Sequence, residues 1–244
     1  MPIQKEQWFA SWFDTPYYHI LYQDRDHSEA QIFMSLLTSH LDLIKGSRVL
    51  DLACGRGRHS IFLNSMGYDV VGADLSPQSI TYASQFANEN LDFRIHDMCE
   101  PFGEKFDAIF NLFTSFGYFE NENDNLRTLK AIHKDLDVHG TGVIDFLNVP
   151  YVVDTLVPEE TKTIGGITFH IQRFVKGPYI FKDVRFEDMG QNFCFTERVR
   201  AFLLSDFEAL FSQASLRIKE VCGDYHLKTY NSTESPRLIL IFGK

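Results

Sequence analysis

Cysteine is scarce in this chain, four among 244 residues, and no two stand in a C-x-x-C spacing. Cys54, Cys99, Cys194 and Cys222 therefore read as small buried hydrophobes in a reducing compartment, and no metal site is expected. Runs of basic residues are missing too. Lys and Arg total 23 against 33 Asp and Glu, a formal net charge of −10. That balance argues against nucleic acid as a partner, because phosphate binding leans on clustered cations. Nowhere do 18 apolar residues run together, and residues 1–6 hold no apolar leader. No membrane partner is expected, and the location reads as cytoplasmic. Internal repeats and low-complexity segments are absent. The length is large for one domain yet common for an α/β fold, and suffices to bury a substantial core.

What is present is concentrated between residues 49 and 74. Val49-Leu50-Asp51-Leu52 is an apolar β-forming run that delivers the chain into Ala53-Cys54-Gly55-Arg56-Gly57, and a helix then opens at Arg58-His59-Ser60. Gly55 and Gly57 lack Cβ atoms, so the backbone can bend sharply and lie close against a ligand. Asp69-Val70-Val71-Gly72-Ala73-Asp74 reads as a second strand ending on a carboxylate. Asp74 falls where an acidic group can accept from both hydroxyls of a ribose. A dinucleotide fingerprint would be G-x-G-x-x-G, and here the third glycine is missing.

The spacing resembles motif I of the class I S-adenosylmethionine-dependent methyltransferases, an acidic residue followed by small-x-Gly-x-Gly. Asp51 takes the acidic place, and Ala53 stands where that family more often has glycine. The resemblance implies an α/β, doubly wound, mostly parallel seven-stranded sheet of the Rossmann-like methyltransferase type, with S-adenosyl-L-methionine as cofactor. It places the cofactor on Asp51, Ala53, Cys54, Gly55, Arg56, Gly57, Arg58, Asp74 and Leu75. A third strand over 91–98 ends on Asp97, where the family has an acid accepting from the adenine amino group, with Met98 against the ring. A buried fourth strand over 105–113 brings Asn111, Leu112 and Phe113 to its open end, where the family lines the methionine half. The match covers residues 47 to 149, and nearly the whole chain with the final helix and strand pair.

Periodicity divides the single domain of residues 1–244 into an N-terminal helical cap (1–45), a cofactor-binding core (46–150), a β insertion or lid (151–203) and a C-terminal helix and strand pair (204–244). A short helix is expected over residues 5–13, stopped near Pro16. Ser28-Glu29-Ala30-Gln31 has the pattern of a capping box, followed by an apolar stripe of Ile32, Phe33, Leu36, Leu37 and Leu41. Ser76-Pro77 places an N-cap before a proline at the first helical position. Leu126, Leu129, Ile132 and Leu136 mark another helix, and His139-Gly140-Thr141-Gly142 a turn into a fifth strand over 143–147. Ser205-Asp206-Phe207-Glu208 reads as a second capping box, and strands near 217–222 and 236–243 finish the sheet. Alternation at 167–174, 179–186 and 193–202 predicts about three antiparallel strands in the insertion, too small a piece to hold its own core. It is a lid or wall over the substrate pocket, a dimerisation surface or mere decoration.

Residues 8–22 are dense in aromatics, which suit a sulfonium cation as well as a core. Tyr18 and Tyr22, four apart, would share a helix face over the cofactor. Arg58 could pair with the methionine carboxylate, which the adjacent helix N-terminus also favours. A general base is needed only for a protonated acceptor. Asp145 and Asn148 at the mouth of the fifth strand, Tyr118 after the fourth, and His226 are candidates, each equally readable as packing, capping or a solvated loop. An Asn/Asp-Pro-Pro-aromatic motif and a Pro-Cys nucleophile are both absent. With the acidic charge, this favours methyl transfer to a small-molecule substrate by a monomer or homodimer. The alternatives are an NAD(P)-dependent oxidoreductase and a non-catalytic S-adenosylmethionine-binding protein.

Overall fold

A computed structural model describes residues 12–23 and 27–244. The strands are β1 (Arg48–Leu52), β2 (Asp69–Asp74), β3 (Leu91–Ile95), β4 (Phe106–Asn111), β5 (Leu136–Leu147), β6 (Glu159–Ile164), β7 (Ile167–Lys176), β8 (Tyr179–Asp188), β9 (Gln191–Arg200), β10 (Arg217–Cys222) and β11 (Arg237–Gly243). The helices are α1 (Pro16–Leu21), α2 (His27–His40), α3 (Arg58–Ser65), α4 (Pro77–Ala83), α5 (Asn123–Asp135), α6 (Val149–Asp154) and α7 (Leu204–Gln213). Apolar runs buried on both faces build a sheet that helices must cover on both sides. Seven strands lie in the order β10-β11-β5-β4-β1-β2-β3. All pairs are parallel except those of β11, which runs antiparallel to both β10 and β5.

Strand alternation sorts the core into two layers. Leu50, Leu52 and Ile109 pack with α5 and α7 through Leu129, Phe207 and Phe211. Val49, Ala108 and Phe110 pack on the opposite face with Phe33, Met34 and Leu37 of α2 and Leu63 of α3. The doubly wound α/β expectation is met. Strand order reverses between β1 and β4, and such a switch point opens a crevice at the carboxyl ends of the strands.

Several expectations need correction. Residues 12 and 13 are helical and that helix ends before Pro16 as expected, but the proline also opens a further helix: Thr15 caps α1 by accepting from Tyr18 N at 3.2 Å, with Pro16 in the first turn. Residues 5–11 of the expected helix, and the Ser28 and Glu29 side chains of its successor's capping box, lie outside the described residues. The apolar stripe of α2 is rotated, with Ala30, Phe33, Met34 and Leu37 buried while Ile32 and Leu36 face outward. β5 begins at Leu136, and the residues expected to turn form a register shift against β4. β3 and β4 end at Ile95 and Asn111, so Asp97 and Phe113 stand on loops. The cap of α7 is Leu203, whose N–H donates to Asp206 at 2.8 Å, so Ser205 lies inside the helix. Ser76 caps α4 as expected, accepting from Ser79 N at 3.0 Å. Cys194 is exposed, whereas the other three thiols are buried.

The insertion carries four strands, in the order β6-β7-β8-β9. The missed strand, β6, is EETKTI, charged and mostly exposed, and it returns into β7 through Gly165-Gly166. The insertion does not hold a core by itself. Ile167, Phe169, Ile171, Val184 and Phe186 form an apolar cluster completed by Trp12 and Leu21 of the N-terminal segment. Trp12 stacks on Phe195 of β9 with ring centroids 4.5 Å apart. The aromatic segment is thus both core and wall.

Candidate functional site

The turn after β1 is built from left-handed backbone. Ala53, Gly55 and Gly57 have φ of 64°, 56° and 79°. An added Cβ on Gly57 would stand 2.6 Å from the Phe93 ring, so this glycine packs inward on β3. On Gly55 a Cβ would meet nothing within 4 Å. Ala53 and Cys54 both donate to Ala73 O, at 2.7 and 3.0 Å, and Gly55 N donates to Asp74 Oδ2 at 2.7 Å. The turn is therefore clamped to the end of β2 with its outer face clear.

That face opens on a cleft of about 720 Å³. Its floor is Asp51, Ala53, Cys54, Gly55, Arg56 and Arg58. One end holds Asp74, Leu75, Asp97 and Met98, and another holds Leu112, Phe113 and Tyr118. Tyr18 and Tyr22 of the N-terminal segment border it from the insertion side, together with Glu197 of β9. Asp14 accepts from the Ser76 hydroxyl and so ties that segment to the loop after β2. Arg58 lies 4.5 Å from the Phe113 ring centroid, and Arg56 4.8 Å from that of Tyr82.

Two carboxylates lie at the floor. Asp51 is 1 % exposed and accepts from the Ser60 hydroxyl at 2.6 Å. Burial pushes its carboxyl up to about 6, with the Ser60 hydrogen bond opposing. Burial also raises Asp74, against the amides of Ser76 and Gly55 that favour its charged form. Burial drives the Cys54 thiol well above the ordinary range, so it is no nucleophile.

Other sequence candidates are placed elsewhere. Gly57 and Asn111 do not border the cleft, and Asn111 Nδ2 instead donates to Leu52 O at 2.9 Å, tying β4 to β1. Asp145 is fully buried and cannot serve as a base. It pairs with Arg237 Nε at 2.7 Å and accepts from Phe113 N at 2.9 Å and Tyr225 OH at 3.2 Å. Arg237 also donates to Thr114 Oγ1 at 2.9 Å. The pair thereby secures Phe113 and Thr114, both with φ of 59°, at the end of the cleft. Asn148 is buried as a loop clamp, donating to Ser232 O and Ser235 O and accepting from Tyr230 OH. His226 is exposed in a loop outside the cleft. Only Tyr118 of these four borders it. Away from the cleft, His40, Glu220 and Cys222 bring ligand atoms within 4.8 Å of one another, with His40 Nε2 2.7 Å from Glu220 Oε2.

Glu197 was not anticipated. Its signal was legible in Phe193-x-Phe195-x-Glu197-x-Val199, a carboxylate set in the apolar row of a strand.

An open cleft over a glycine turn, at the switch point of a doubly wound sheet, defines a nucleotide-cofactor enzyme of the α/β class. Residues 49–140 match the family model of the methyltransferase domain. The chain is 27 % identical to the putative methyltransferase YqeM of Bacillus subtilis (strain 168), over 78 % of this chain and 81 % of that protein. It is 30 % identical to a glycine/sarcosine N-methyltransferase of Aphanothece halophytica over 53 % of this chain, spanning half of that relative's length. An S-adenosylmethionine-dependent methyltransferase of Clostridium acetobutylicum superposes with a TM-score of 0.77 at 19 % identity, covering 93 % of this chain and 95 % of that one. Residues 49–140 thus form a methyltransferase domain, set in a fold shared with S-adenosylmethionine-dependent methyltransferases.

Three outcomes test this account of the site. Ala53 carries a side chain in a conformation that glycine adopts freely, so Ala53→Gly should raise stability by about 0.5–1 kcal/mol in chemical denaturation. Arg237→Met strands a buried carboxylate and should cost about 3 kcal/mol or more, read the same way. Asp51 is harder to ionise folded than unfolded, so its ionisation costs stability. The cost is nil below about pH 4, grows as pH rises towards 6 and is constant above. Wild type should lose about 2–3 kcal/mol between pH 4 and 7 relative to Asp51→Asn, in denaturation curves across that range.

Proposed function

We propose that the protein transfers the methyl group of S-adenosyl-L-methionine to a small-molecule acceptor seated between the glycine turn and the β insertion. The observation that carries this reading is the cleft itself, bounded on one side by Gly55 and Asp74 and on the other by aromatic and acidic side chains of the N-terminal segment and β9. The residues present fit the cofactor. Gly55 leaves open space above its Cα, and Asp74 holds two loop amides yet has lone pairs to spare for ribose hydroxyls. Leu75 and Met98 would flank the adenine, with Asp97 at its amino edge. Leu112, Phe113 and Arg58 would enclose the methionine half.

Bound there, S-adenosylmethionine supplies a methyl carbon already activated by positive sulfur. The chain then has to align, enclose and desolvate. Tyr18 and Tyr22 border the cleft with aromatic rings, which suit a cation, and Glu197 of the insertion stands beside them. No covalent role falls to a side chain in this reading.

Titration calorimetry with S-adenosylhomocysteine and with NADH tests it. S-adenosylhomocysteine should bind and NADH should not, and Asp74→Ala should weaken S-adenosylhomocysteine by about 1.5–3 kcal/mol, the scale of hydrogen bonds to a charged group. Preference for NADH would overturn the reading, and unchanged affinity in the variant would remove Asp74 from the site.

A further inference from the structure

Two charges sit opposite each other in an otherwise apolar sheet face. In the register of β8 against β9, Ile180 pairs with Val199, Val184 with Phe195 and Phe186 with Phe193, while Lys182 pairs with Glu197. The apolar members are buried or half-buried. The Lys182 and Glu197 side chains are only 15 % and 14 % exposed, with Nζ 3.7 Å from Oε1. Net stabilisation is a weak reason for such a pair, because a well-packed apolar pair in its place is often neutral or better. Glu197 lies on the wall of the cleft.

Its two oxygens are treated differently. Oε1 accepts from Trp12 Nε1 at 2.8 Å and from Tyr22 OH at 2.9 Å. Lys182 donates to the same Tyr22 hydroxyl and stands 4.4 Å from its ring centroid. These contacts fix the carboxylate through Oε1, while Oε2 has no hydrogen-bond partner among the described residues and Glu197 itself borders the cleft. A fixed carboxylate with an uncommitted oxygen on a cavity wall is a receptor for an N–H donor, and for a cationic one above all.

We infer that Glu197 is a specificity-determining residue that anchors the amino group of an amine acceptor, so that the enzyme is an N-methyltransferase; this rests on the methyl-transfer reading above. An arriving ammonium gives one proton to water and keeps an N–H on Glu197. Its freed lone pair forms the N–C bond as the C–S bond breaks, and the electron pair of that bond returns to sulfur. The methylated ammonium product carries the charge away. Lys182 and Trp12 act through Glu197 and Tyr22 as positioning residues.

The test uses the full chain saturated with S-adenosylhomocysteine and calorimetry with matched probes: glycine against glycolate, ethanolamine against ethylene glycol, glucosamine against glucose. At least one pair should show the amine bound about tenfold or more tightly, the scale of one charge-assisted hydrogen bond. Glu197→Gln should abolish that preference with S-adenosylhomocysteine affinity unchanged, and Glu197→Asp, which keeps the charge, should retain part of it. Lack of amine preference in every pair, or a preference that survives Glu197→Gln, overturns the inference. Loss of S-adenosylhomocysteine binding in that variant overturns it too, since Glu197 would then serve the cofactor or the fold. Failure of the wild type to bind S-adenosylhomocysteine refutes the methyl-transfer reading instead.

Discussion

The cleft depends on one constraint, the left-handed backbone of residues 53–57 held down on the ends of β2 and β3. Three positive φ values within five residues are unfavourable in a free chain, one of them on an alanine. They persist because Ala73 O takes two amides of the turn, Asp74 takes a third, and the Phe93 ring fills the space beneath Gly57 and Gly72. The carboxylate that would grip the ribose is therefore also a clamp on the turn that makes room for it. β3 contributes through an aromatic ring that never reaches the cleft. Such local strain is characteristic of sites that neighbouring structure over-determines.

The second wall follows a different logic. Strands β6 to β9 leave the main sheet and could not bury their inner face alone, so the N-terminal segment supplies Trp12 and Leu21 to finish that cluster. Docking the segment there also carries Tyr18 and Tyr22 to the border of the cleft. Packing energy and site assembly are thus linked: whatever detaches Trp12 from Phe195 also withdraws the aromatic wall and the Glu197 hydrogen bonds.

The doubly wound core with its glycine turn was legible because its signals are local. A buried strand, a glycine turn, a capped helix and a terminal acid each leave a mark within a few residues, and parallel pairing then sets their ends side by side. Readings that required long-range partners fared worse. Asp145 looked like a base at a strand mouth until Arg237, far along the chain, was seen to neutralise it. Asn148 was a clamp for a loop whose position sequence does not give. β6 escaped notice because it is an exposed edge strand without an apolar row, and the α2 stripe was misphased because Met34 was left out of it. Ser205 was taken for a cap since its hydroxyl suits one, whereas the side chain of Asp206 does that work from inside the helix.

Two acid–base pairs of similar make-up serve opposite ends in this molecule. Asp145 has both oxygens occupied, Oδ1 by Arg237 and Oδ2 by Phe113 N and Tyr225 OH, and it is sealed from the cleft. A carboxylate so saturated can only hold structure, and here it holds the strained Phe113-Thr114 corner. Glu197 concentrates its partners on one oxygen and stands on a cavity wall. Burying a charge is costly unless every lone pair is answered, so an unanswered one beside open space marks where an external donor completes the set. Counting partners oxygen by oxygen therefore separates a fastening from a receptor, where burial and charge alone would class the two together.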